Sequence, residues 1–178
     1  MPLKIVPTNP NILIAGIGNI FLGDDAFGSE VARRLLTQNW PPNVKIVDFG
    51  IRALDLTYAL LESWDVVILI DAAPRGGAVG TLYLIEPEPA EVLATSEAMP
   101  GEMLIDAHGM DPIKVLRLVH SMGGKINRLL LLACEPSSNA DEMEMEMSPN
   151  VQAAIPEAVA MIESLVSKLV AVPSTSPK

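Results

Sequence analysis

The run Val66–Ile70 (VVILI) constrains this chain more than any other segment. Its apolar residues are mostly β-branched and do not alternate with polar ones, so neither face can be solvated. Such a strand is covered on both sides, which places it inside a mostly parallel sheet with helices above and below. It stops at Asp71.

The other segments fit around it. Asn11–Ala15 (NILIA) is a short apolar strand that runs into Gly16-Ile17-Gly18-Asn19. Val44–Val47 is a second, ending at Asp48-Phe49-Gly50, and Arg128–Cys134 is the last. Thr81–Ile85 follows Val66–Ile70 after a Gly-rich link too short for a helical crossover. It is therefore expected antiparallel to that strand and near an edge. Helices alternate with the strands. The first follows Asp24-Asp25, with Phe27, Val31 and Leu35 on one face; the acidic pair suits the positive end of its dipole. The second is expected to bury Leu54, Tyr58 and Leu61. The third opens at Asp111-Pro112, an N-cap and a first-position proline, and is expected to bury Ile113, Leu116 and Val119. The fourth opens at Ser148-Pro149, restarts at Pro156, and carries Ile155, Val159, Ile162, Val166 and Leu169.

The expected fold is α/β, a three-layer αβα arrangement. Its mostly parallel, five-stranded twisted sheet has one antiparallel edge strand. The length, 178 residues, fits a single domain, expected over residues 1–172, with a flexible Pro/Ser-rich tail at 173–178. Hydrophobic residues make up 49% of the chain but aromatics only 4%, so the core is aliphatic.

Charge narrows the function. The net charge is -10 and the 12 Lys and Arg residues are scattered, which excludes the basic footprint of a nucleic-acid binder. An acidic surface suits a partner of basic character. No apolar run approaches the roughly 20 residues of a membrane-spanning helix. The N-terminus has no secretory pattern, so a cytoplasmic location is the default. Cys134 is the single cysteine, so no intramolecular disulfide forms, and it is read as a buried core thiol.

Ligands of open α/β sheets bind beyond the carboxyl ends of the strands. Asn19–Asp25, Asp48–Arg52, Asp71 and Glu135 are therefore the candidate positions. The glycine loop is not a dinucleotide fingerprint: its sixth position is Phe21, and the two adjacent carboxylates would repel a pyrophosphate. Its glycines instead permit a tight turn and a close approach. Asp71, at the end of the most apolar strand, is costly unless it binds a cation or accepts hydrogen bonds, although a turn residue would look the same. His108 lies in Asp106-Ala107-His108-Gly109, whereas His120 falls inside a helix. A loop histidine alone is often merely solvated. Asp24 or Asp25 together with Asp71 and His108 come from separate loops that one sheet rim can gather. Two carboxylates and an imidazole suit nickel, zinc or manganese, with coordination positions left open. Three protein ligands hold such an ion weakly unless something else completes the shell.

Gly16-Ile17-Gly18-Asn19 followed by Leu22-Gly23-Asp24-Asp25-Ala26-Phe27-Gly28 resembles the N-terminal signature of nickel-iron (NiFe) hydrogenase maturation endopeptidases. Val66–Asp71 with Ala72 is similar to that family's strand ending in a ligand aspartate, and His108 matches its third ligand position. The resemblance covers nearly the whole chain. It implies an endopeptidase that removes a C-terminal extension from a NiFe hydrogenase large-subunit precursor once nickel is inserted. On that resemblance Asp25, Asp71 and His108 contact the substrate-bound nickel and carry catalysis, with Asp24 the second choice for the place of Asp25. Gly18, Asn19, Asp48, Gly50 and Arg52 form the substrate loops. No tightly bound cofactor is implied, since the precursor supplies the nickel, and the protein is expected to be a monomer that binds neither nucleic acid nor membrane. Many members carry Asp-Gly-Gly-Thr where this chain has Asp48-Phe49-Gly50-Ile51-Arg52, so Phe49 and Arg52 are expected to alter which precursor tail is accepted. The acidic, methionine-rich stretch Asp141–Met147 is read as a solvated loop, with contact to a basic precursor surface as the sharper reading. A non-catalytic nickel-dependent assembly factor for the large subunit is the alternative function, and a nucleotide-binding domain a third.

Overall fold

In the computed structural model, the described residues are 9–87, 112–137 and 146–171. Five strands, β1 (Ile12–Ile17), β2 (Val44–Gly50), β3 (Val66–Ala72), β4 (Leu82–Ile85) and β5 (Leu129–Cys134), form one sheet. Their order is β2-β1-β3-β5-β4. All neighbours are parallel except β4, which runs antiparallel along β5. Four helices accompany them: α1 (Phe27–Leu36), α2 (Ala53–Leu60), α3 (Pro112–Ser121) and α4 (Pro149–Val170). The expected architecture is the observed one, with a single adjustment. β4 lies at the edge as expected, but β5 separates it from β3.

The unbroken apolar runs explain the two-sided sheet. Ile12 and Ile14 of β1 join Val66, Ile68 and Ile70 of β3 in a core with α1 and α4. Leu13, Ala15 and Ile17 join Val67 and Leu69 in a second core with α2 and α3. Each of the Val, Leu and Ile side chains contributes roughly 1.5–3 kcal/mol on burial, so the central strands anchor the fold. Glycines let α1 lie directly on them. A Cβ on Gly28 would fall 2.1 Å from the Ile70 carbonyl oxygen and 2.2 Å from that of Ile17. The start of α1, and the 3-10 turn Gly23–Ala26 before it, are thereby pressed onto the carboxyl edge of the sheet.

Three helix expectations are corrected. In α2 the covered residues are Leu56, Thr57 and Leu60, whereas Leu54 and Tyr58 are 54% and 64% exposed. The helix is apolar around most of its girth, and the other stripe faces the sheet. In α3 the face is Val115, Leu116 and Val119, leaving Ile113 exposed. α4 does not restart at Pro156. The proline removes one backbone hydrogen bond, at a cost of about 3 kcal/mol. Val151, Ala154 and Ile155 before it and Ala158 and Ile162 after it share one buried face, and their packing offsets that loss. His108, Asp111, residues 141–145 and the tail at 173–178 lie outside the described residues.

Candidate active site

The loop after β1 is built by glycine and asparagine. Gly18 has φ +142°, and a Cβ there would lie 1.8 Å from the carbonyl oxygen of Asp25. Only glycine brings the loop this close to the 3-10 turn. The Gly18 carbonyl accepts from Ser29 Oγ at 3.2 Å, and its N–H donates to the Gly50 carbonyl at 3.1 Å. Asn19 then performs two tasks. Its side-chain oxygen accepts from the Phe21 N–H at 3.0 Å, an Asx turn, and its own N–H donates to Asp25 Oδ2 at 2.7 Å. Asp25 is exposed, and its Oδ1 accepts no hydrogen bond among the described residues.

Asp71 lies within β3 opposite Ala133, is 8% exposed, and accepts from the Ala72 N–H at 2.9 Å. The 3-10 turn that bears Asp25 packs against β3. The turn that bears Asp25 therefore lies against the strand that bears Asp71. Among the described residues no three His, Cys, Asp or Glu side chains converge as a metal site.

The five expected substrate-loop residues, Gly18, Asn19, Asp48, Gly50 and Arg52, line one cleft of about 240 Å³. Asp48 builds its wall. Its Oδ1 accepts the Gly50 N–H at 3.1 Å and its Oδ2 accepts Arg33 Nε at 3.2 Å. Arg52 braces the same turn. Its Nε donates to the Phe49 carbonyl at 3.1 Å, Nη2 to the Asp48 carbonyl, and Nη1 to Asp55 Oδ2 at 3.3 Å. The guanidinium thus holds the loop in shape. Sequence reasoning missed the apolar rim of this cleft. Ile20 and Phe21, 65% exposed, line it from one loop and Ile51 from the other, and Leu22, Leu54 and Tyr58, close to them in the chain, are exposed as well.

Asp24 is not equivalent to its neighbour. It is buried, and its oxygens accept from Ser137 N at 2.8 Å, Ser148 N at 2.6 Å and Ser148 Oγ at 3.0 Å. Burial alone would raise its pKa, but these bonds outweigh that and hold the carboxyl below its ordinary value. Glu135 behaves alike. Burial is overcome by the N–H groups of Arg75, Gly76 and Gly77 and by the Tyr83 hydroxyl, so its pKa is lowered and the turn after β3 is fixed. Cys134 is fully buried, and burial, reinforced by the charges of Asp24 and Glu135, pushes its thiol up to about 12. It is a core residue and no nucleophile.

Residues 29–165 match a family model described as hydrogenase maturation protease. The chain belongs to the hydrogenase maturation protease family. The protease is 29% identical over 163 residues to the coenzyme F420 hydrogenase subunit delta of Methanothermobacter thermautotrophicus, covering 88% of this chain and 95% of that protein. It is 26% identical over 152 residues to the hydrogenase 2 maturation protease of Escherichia coli, covering 85% and 87%. Among solved structures, the NiFe hydrogenase maturation protease HycI from Thermococcus kodakarensis aligns with a TM-score of 0.61 at 25% identity, over 94% of this chain and 97% of that one. The hydrogenase maturating endopeptidase HybD from E. coli shares the fold, with a TM-score of 0.67 at 24% identity over 89% and 93%. The protease is accordingly an endopeptidase of hydrogenase maturation. Among its described residues no helix is long and apolar enough to cross a membrane.

Proposed function

We propose that this protease removes the C-terminal extension of a NiFe hydrogenase large-subunit precursor and recognises nickel carried by that precursor. Nickel in this reading is part of the substrate, and the protease keeps no cofactor of its own. The observation that carries the reading is the state of Asp25. One oxygen is fixed by the Asn19 N–H, the other carries no hydrogen bond among the described residues, and the turn beneath it rests on the strand that bears Asp71. Two oriented carboxylates with His108 make a poor site for a free ion. They suit an ion whose remaining ligands come from another protein, so that only a loaded precursor completes the shell.

The hydrolysis follows from the same groups. A carboxylate takes a proton from the water that adds to the scissile carbonyl and returns it to the departing amide nitrogen. Nickel held by the precursor and met by Asp25, Asp71 and His108 would orient the chain end or polarise that carbonyl. Breaking the peptide bond leaves a carboxylate on the precursor and a free amino group on the released extension. The apolar rim of the cleft supports a protein-sized substrate, because clustered exposed apolar side chains mark interaction sites. The net charge of -10 favours a basic precursor surface. The cleft lined by Gly18, Asn19, Asp48, Gly50 and Arg52 receives the tail, and Phe49 and Arg52 set its shape and thereby the tail accepted. The protease acts as a monomer in the cytoplasm.

The test is to mix nickel-loaded precursor with wild-type protease, Asp25→Asn or Asp71→Asn, and follow the intact mass of the precursor. The extension is lost with the wild type and retained with both variants. Normal removal by either variant overturns the site assignment.

A further inference from the structure

We propose that Asp24 is a positioning residue that sets the orientation of Asp25, an inference that rests on the role given to Asp25 above. Asp24 cannot share that role itself, because both its oxygens are occupied by donors and its side chain is buried. The donors come from the far side of the site. Ser137 follows β5, and Ser148 precedes α4. Ser148 occupies the N-cap position of α4 yet caps nothing with its side chain. Its hydroxyl and its N–H both go to Asp24. A serine at that position ordinarily caps its own helix, so the diversion is specific to this carboxylate.

The turn Gly23–Ala26 is therefore gripped from two sides. On one side Asp24 ties it to the segments that flank residues 138–147. On the other, the Asn19 N–H holds the Asp25 side chain, and the Gly18 backbone abuts the Asp25 carbonyl. Within the turn the Asp25 N–H donates to the Leu22 carbonyl at 2.9 Å. Asp25 is exposed, so its aim depends on these anchors. Releasing the Asp24 anchor lets the turn rotate and misaligns Asp25 without touching the substrate. Misplacement of a reacting group by about 1 Å can cost on the order of a hundredfold in rate.

The experiment measures kcat and KM on nickel-loaded precursor for the full chain and four variants. Asp24→Asn keeps the volume but presents an amide N–H₂ to a donor. Ser148→Ala removes one of the three bonds and preserves the fold if Asp24→Asn does not. Val166→Ala is a destabilising core control toward the far end of α4, and Asp25→Asn tests the underlying reading. The expected result is a fall in kcat of roughly ten- to a hundredfold for Asp24→Asn, with a smaller fall for Ser148→Ala. KM stays within about twofold for both, and kcat for Val166→Ala is that of the wild type. Wild-type kcat in folded Ser148→Ala and Asp24→Asn, with Asp25→Asn inactive, overturns the positioning role alone. An equal fall in Val166→Ala also overturns it, since the effect is then one of stability. An active Asp25→Asn overturns the reading of the site beneath it.

Discussion

Asn19 donates its backbone N–H to Asp25 Oδ2 over 2.7 Å, so the residue that ends the glycine turn orients the exposed carboxylate of the next element. This bond depends on the backbone of Gly18, whose conformation and contact with the Asp25 carbonyl exclude a side chain. Gly18→Ala is expected to cost of order 1–3 kcal/mol through backbone strain alone and to impair precursor processing. Urea unfolding and the processing assay read the two effects; wild-type stability would contradict the close approach.

Acid should weaken the fold through Asp24 and Glu135. Both carboxyls lie below their ordinary values of 3.8 and 4.5 in the folded protein. The unfolded chain therefore takes up protons first as the pH falls. Their contribution to stability is complete above those values and is lost as the pH drops through the lower, folded ones. Unfolding midpoints measured between pH 6 and pH 3 should fall toward acid, and the fall should be shallower in Asp24→Asn. A slope unchanged by the substitution would contradict the shift assigned to Asp24.

Leu54 and Tyr58 distinguish an exposed face of α2 from a core face. Exposed at 54% and 64%, they should tolerate replacement by serine within about 0.5 kcal/mol of wild-type stability. Were they the packed stripe of α2, truncation would cost several kcal/mol, about 2–5 for a buried leucine. The double substitution is expected to raise KM for the precursor several-fold with little change in kcat. An unchanged KM would remove these two side chains from the docking surface.

The sheet was legible because Val66–Ile70 and Leu129–Cys134 are apolar without interruption, and two-sided burial is the one environment that suits them. The face of α2 was not. Leu54 and Tyr58 obey the same spacing as a core stripe, and periodicity does not say which of two apolar stripes meets the sheet. The cleft residues Gly18, Asn19, Asp48, Gly50 and Arg52 were legible as strand-end positions, where the chain must turn. The difference between Asp24 and Asp25 was hidden for another reason. The donors that bury Asp24 lie 113 and 124 residues away, and nothing local marks them. Ser148-Pro149 signalled a helix start but not that the serine would serve a distant carboxylate.

The most direct test of the account compares two precursors with the wild-type protease, one loaded with nickel and one free of it. Intact-mass measurement over the same time course should show the extension removed from the loaded precursor and retained on the nickel-free one. Equal removal from both would contradict the claim that Asp25, Asp71 and His108 read a metal carried by the substrate.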